Sequence, residues 1–104
     1  MSGRVPSANL EASMHYPSPG LAEIEIVNTG EADSENSHII QLRWSDEARV
    51  RATDGLNGFE FATTGPGVAC LNGTRRLVPH ERLVVGWLRF ETTSKVDINV
   101  RINE

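Results

Sequence analysis

Ala8-Asn9-Leu10-Glu11-Ala12-Ser13-Met14-His15-Tyr16 decides the fold class, because every second residue is apolar and every residue between is polar. A period of two puts successive side chains on opposite faces of an extended chain, so this stretch reads as a half-buried β-strand. The same pattern closes the sequence: Val96, Ile98, Val100 and Ile102 alternate with Lys95, Asp97, Asn99 and Arg101. Lys95 and Arg101 suit a strand at a sheet edge, where cationic side chains discourage further pairing.

Working inward, Ala22, Ile24 and Ile26 alternate with Glu23 and Glu25, and Ile40, Leu42 and Trp44 with Gln41 and Arg43. Ala48, Val50 and Ala52 alternate with Arg49 and Arg51, and Phe59 and Phe61 form a short strand. Pro17-Ser18-Pro19-Gly20, Asn28-Thr29-Gly30, Asp54-Gly55, Asn57-Gly58 and Gly65-Pro66-Gly67 supply turns. Val68–Leu71 meets Asn72-Gly73, a hairpin signal that predicts a return strand over Thr74–Val78. No window has helical spacing. The sequence therefore predicts an all-β domain, an immunoglobulin-like β-sandwich of seven to nine antiparallel strands over residues 8–104, preceded by a flexible amino-terminal segment at residues 1–7. The polar stretch Glu31–Ser37 is expected to be a mobile loop.

At 104 residues the chain has room for one domain and one core. Its net charge of −4 and pI near 5.3 carry none of the basic footprint that a nucleic-acid partner requires. No apolar stretch reaches the length of a membrane span, and the amino terminus lacks the basic-then-apolar layout of a signal peptide. Membrane insertion is not expected. Cys70 is the sole cysteine, which excludes an intrachain disulfide, and a buried inert thiol is the plain reading.

Ile24-Glu25-Ile26-Val27-Asn28-Thr29-Gly30 resembles the strand-then-N-T-G signature of bacterial immunoglobulin-like surface modules, such as the cell-adhesion-related domain of bacteria and the conserved-repeat domains of surface proteins. Ile39–Trp44 fits the strand that comes after the loop in those families, and Gly67–Leu71 is similar to their short mid-domain strand. Leu77-Val78-Pro79-His80-Glu81 before Leu83–Phe90 resembles their turn into a long strand, with His80 where glycine is usual. The resemblance implies an immunoglobulin-like fold and a module of a larger extracellular or cell-envelope protein. Unrelated sandwiches, including cellulose-binding modules, share the N-T-G turn.

Chemistry is sparse. His15, His38 and His80 have no partner at metal-ligand spacing, and no nucleophile elbow or phosphate loop is present. The chain is therefore read as a non-enzyme with no cofactor. Glu31, Asp33 and Glu35 offer the oxygen ligands that calcium prefers, although their spacing is not that of an EF-hand and a solvated acidic loop is the simpler reading. Leu83-Val84-Val85-Gly86-Trp87-Leu88 is apolar on both faces. Either a covered central strand or an exposed stripe of Leu83, Val85 and Trp87 explains it. Gly86 within the run marks a close approach of another backbone or a ligand. Trp44 shares the inward phase of Ile40 and Leu42 and is assigned to the core. Arg43, Arg49 and Arg51 are candidates for a small cationic face. The expected function is a non-catalytic binding or structural module in a surface, envelope or virion assembly, acting through a protein partner or as a spacer between parent-protein domains. The alternative is a carbohydrate-binding module that stacks a polysaccharide on Trp87.

Overall fold

The computed structural model describes residues 6–103, so the flexible segment expected at residues 1–7 falls, for residues 1–5, outside the described residues. Ser7 is held, its carbonyl accepting the Glu31 N–H at 3.0 Å. The chain forms β1 (Leu10–Ser18), β2 (Leu21–Asn28), β3 (Ser37–Arg43), β4 (Val50–Gly55), β5 (Phe59–Gly65), β6 (Val68–Thr74), β7 (Arg82–Phe90) and β8 (Asn99–Ile102), with no helix among the described residues. These make two antiparallel four-stranded sheets, ordered β1-β2-β7-β4 and β5-β6-β3-β8.

Alternation sets the core between the sheets. Ala22, Ile24 and Ile26 of β2 and Leu88 of β7 are fully buried, as are Ile40 and Leu42 of β3 and Leu71 of β6. Each aliphatic side chain of this size contributes about 1.5–3 kcal/mol when removed from water. Two hairpins close on Pro-Gly: Pro19-Gly20 joins β1 to β2, and Pro66-Gly67 joins β5 to β6. Proline presets the first turn residue, and Gly20 (φ 79°) and Gly67 (φ 71°) take the left-handed conformation of the second.

Pairing departs from the local signals in four places. Pro17 does not end β1. The strand continues to Ser18 with a register slip after His15, which an edge strand tolerates because proline's missing N–H is not needed there. Asp54-Gly55 is not a turn, since Gly55 closes β4. The chain turns at Asn57 (φ 56°) and Gly58 (φ 87°), where Phe59 N–H donates to the Leu56 carbonyl at 3.1 Å, and crosses between sheets. Asn72-Gly73 is not a hairpin either, because both residues lie inside β6. A β-carbon on Gly73 would sit 2.4 Å from the Phe59 ring, so glycine is required there by packing. Residues after Thr74 form a loop that buries Leu77 instead of a return strand. Finally, β8 pairs only over Asn99–Ile102, although Val96 is still buried.

The loop between β2 and β3, expected to be mobile, is tied down. Ser34 N–H donates to the Leu77 carbonyl and Leu77 N–H to Ser34 Oγ, both at 2.8 Å. Asn28 is wholly buried: its Nδ2 donates to the Ala32 and Leu77 carbonyls, and its Oδ1 accepts from Asn9 and Gly30 N–H. Gly30 is obligatory, since a β-carbon would meet the Ser7 carbonyl at 2.3 Å. The N-T-G signature thus fastens the entry of β1 over the exit of β2. In the loop between β6 and β7 the Glu81 carboxylate accepts from Val78 N–H and Arg75, which hold it below the usual carboxylate range.

Candidate functional site

The site is built on β7, the two-sided strand. Ile24 pairs with Gly86 and Glu25 with Val84, so Val85 has no partner on β2 and forms a bulge. A bulge adds one residue to one strand and reverses the facing of the residues beyond it. Leu83 and Val85 therefore point inward before it (Val85 fully buried), and Leu88 and Phe90 point inward after it. Gly86 makes this compact: a β-carbon there would lie 2.9 Å from the Asp54 carbonyl and 3.1 Å from Leu71. The close approach anticipated at Gly86 is thus by β4's backbone.

This corrects the expected stripe. Leu83 and Val85 belong to the core, and of the three only Trp87 reaches the surface, half-buried on the outer face of its sheet. A strict two-residue reading keeps Leu83, Val85 and Trp87 on one side only if no residue is inserted.

Around Trp87 the register assembles a row across all four strands. Glu23 of β2 lies opposite it on one side and Asp54 of β4 on the other, and His15 of β1 lies opposite Glu23. One step along the strands, half-buried Val84 faces Glu25. Glu25 accepts from Arg82 at 3.0 Å, with His15 Nε2 3.4 Å away. Leu21 and Ala52 flank Arg89 on the other side. The indole thus stands among carboxylates, with small apolar patches above and below. The sequence singles out Trp87 as a candidate but not Glu23, Asp54 and His15 as its neighbours, because only the strand order brings them together.

The other candidates disperse. Arg43 lies on β3, in the sheet facing that of β4, so it makes no common face with Arg49 and Arg51. The two segments are consecutive in sequence, but the chain changes sheet between them. Glu31, Asp33 and Glu35 are exposed around buried Ser34, and no three His, Cys, Asp or Glu side chains among the described residues could hold a metal ion. Trp44 packs where its phase places it, edge-on to Phe90 at 5.7 Å, with its Nε1–H donating to the Ala48 carbonyl at 3.0 Å. Cys70 is half-buried on the outer face of its sheet, not sealed in the core as its sequence suggests, and its thiol lies 3.6 Å from Asn72 Oδ1.

The histidines sit in separate environments. His38 is buried with Nε2 2.7 Å from the Arg75 carbonyl, so Nε2 carries the proton and donates it there. Its ring stacks on Phe59 at 6.4 Å. His80 occupies a turn at φ 69°. The polar cleft that His38 borders is lined also by Asn9, Asp33 and Asn103 and by neither other histidine. At the far end Tyr16 donates its hydroxyl to the Val96 carbonyl at 2.8 Å, and burial, with Asp97 nearby, pushes the phenol above its ordinary pKa. Comparison with models of known protein families gives no match, and neither does comparison with curated protein sequences.

Proposed function

We propose that the chain is an immunoglobulin-like, non-catalytic module that binds a protein partner through the outer face of β1-β2-β7-β4, as part of an extracellular or cell-envelope assembly. One observation carries the reading. A tryptophan is turned out of a central strand by a bulge, on a face where three neighbouring strands present charged or ionisable side chains. Tryptophan and arginine dominate protein-interface energetics, and here Trp87 has Arg82 and Arg89 on its own strand. The fold part of the reading rests on the order of the two sheets, in which β2 and β3, consecutive in the chain, lie in opposite layers.

A second reading rests on Glu23 and Asp54 beside the indole. Carboxylates flanking an aromatic plane are also what a sugar ring requires for its hydroxyls. The two separate experimentally. An array of surface proteins and a panel of insoluble cellulose, chitin and xylan are probed with wild type and Trp87→Ala. Retention by one protein, lost in Trp87→Ala at unchanged melting temperature, is the expected result. Retention on a polysaccharide with a blue-shifted tryptophan emission would transfer the site to the sugar reading. Unfolding of Trp87→Ala would return the residue to the core and remove both.

A further inference from the structure

β1 leaves a row of backbone groups open. It ends the order β1-β2-β7-β4, and Thr29 N–H donates to the Asn9 carbonyl at 2.8 Å, so the bonded pairs with β2 are those of residues 9, 11, 13 and 15. In an antiparallel ladder the alternate residues direct their N–H and C=O groups away from the partner strand. Those of Leu10, Ala12 and Met14 therefore face the edge, and no described residue bonds them. Their side chains point inward but are only half-buried, whereas Ala22, Ile24 and Ile26 on β2 are sealed. Proteins blunt such edges with short strands, bulges, lysine or proline. The other three edges carry these devices: β8 is four residues long, and the registers of β4 and β5 slip between Val50 and Ala52 and between Thr63 and Gly65. β1 keeps an unbroken register from Leu10 to His15 and has no lysine, arginine or proline from Leu10 to Tyr16.

This edge complements itself. Two copies paired antiparallel about a twofold axis at Ser13 set Ala12 opposite Met14, Leu10 opposite Tyr16 and Glu11 opposite His15, each pair occurring twice. The outward backbone groups of Ala12 and Met14 then meet as bonded pairs, and the half-buried apolar row of each copy covers that of the other. On the outer face the Glu11 carboxylate, without a partner among the described residues, meets the imidazole of the second copy. Complementary residues directly opposite each other stabilise a ladder. A twofold axis at Ala12 sets Glu11 against Ser13, and one at Met14 sets it against Pro17, so both lose that pair. We infer that the chain forms a homodimer through β1, which joins two four-stranded sheets into one continuous sheet. The axis is perpendicular to the sheet, so both Trp87 rows look out from the same side. The pairing does not rest on what the Trp87 face binds.

Sedimentation equilibrium of the whole chain is expected to show monomer and dimer with a dissociation constant on the order of 10–1000 µM, because a strand edge buries less than a standard interface. Amide NMR shifts that grow with concentration are expected at residues 10–16. In a Cys70→Ser background, Ser13→Cys is expected to form an intermolecular disulfide, since α-carbons facing each other at the axis lie about 4.5 Å apart. Glu11→Cys is expected not to, because its two copies sit four residues apart along the strands, roughly 13 Å. Glu11→Lys is expected to raise the dissociation constant about threefold to tenfold, and His15→Lys to lower it. Ala12→Pro removes an outward N–H without touching the β2 ladder, and is expected to abolish the dimer. Failure of Ala12→Pro to fold leaves the two cysteine variants to decide. A single species of monomer mass up to about 1 mM, equal disulfide formation by both cysteine variants, or concentration-dependent shifts confined to the Trp87 face or to β8 would each overturn the inference. So would a chain that stays monomeric while an alternating valine–threonine peptide shifts residues 10–16, which would give the edge to a foreign strand. Trp87→Ala is expected to leave the dimer intact, so this result and that for the Trp87 face stand or fall separately.

Discussion

Asn28 shows how much one side chain can carry. Its amide satisfies two carbonyls and two N–H groups from three separate segments, with no access to solvent. Asn28→Ala strands these groups in the interior, and an unsatisfied buried group costs about 1–3 kcal/mol. A loss of about 2–4 kcal/mol is expected in urea unfolding, and an unchanged midpoint would show that water replaces the amide. His80 is the opposite case. It holds φ 69° while its N–H donates to the Asn28 carbonyl at 2.7 Å. The left-handed conformation costs a non-glycine residue about 1–2 kcal/mol. His80→Gly is expected to raise stability by up to about 1 kcal/mol, the remainder being offset by backbone entropy. A fall in stability would mean that the imidazole makes a compensating contact.

At the level of elements, β6 and β7 show two uses of glycine that a turn-based reading misses. Gly73 makes room for the Phe59 ring from the adjacent strand, and Gly86 makes room for Leu71 and the β4 backbone at a bulge. Gly73→Ala is expected to cost about 1–3 kcal/mol through overpacking. Phe59→Leu should recover part of that loss in the double variant, because the clash is with the ring. An additive double variant would place the penalty in the backbone instead. Both elements were legible as strands from their apolar content. What could not be read was which glycine turns the chain and which is packed, because Asn57-Gly58 and Asn72-Gly73 are identical as dipeptides and differ only in what lies above them.

Across the whole molecule, the core depends on pairings between distant parts of the chain. β2 joins β7, with Ile26 opposite Leu83, and β3 joins β8, with Leu42 opposite Val100. Closing such loops precedes the contacts that stabilise them, so folding is slow for the chain's size. Stopped-flow refolding is expected to be single-exponential, on the order of milliseconds to seconds. A microsecond phase carrying the full amplitude would contradict the observed strand order. The same long-range order sets the Trp87 surface, whose row needs β1, β2, β7 and β4 side by side, and makes β8 the last strand of its sheet among the described residues.

By itself the sequence determined the β-class, most strand positions, the inward residues of β2 and β3, and the place of β8 at an edge. Two-residue periodicity and turn chemistry are local, and they act before any tertiary contact forms. Tertiary structure alone decided that Leu83 and Val85 belong to the core and Trp87 to the surface, and that Arg43 is parted from Arg49 and Arg51. Bulges and strand order depend on which segments pair, and pairing free energy is shared between residues far apart in the chain.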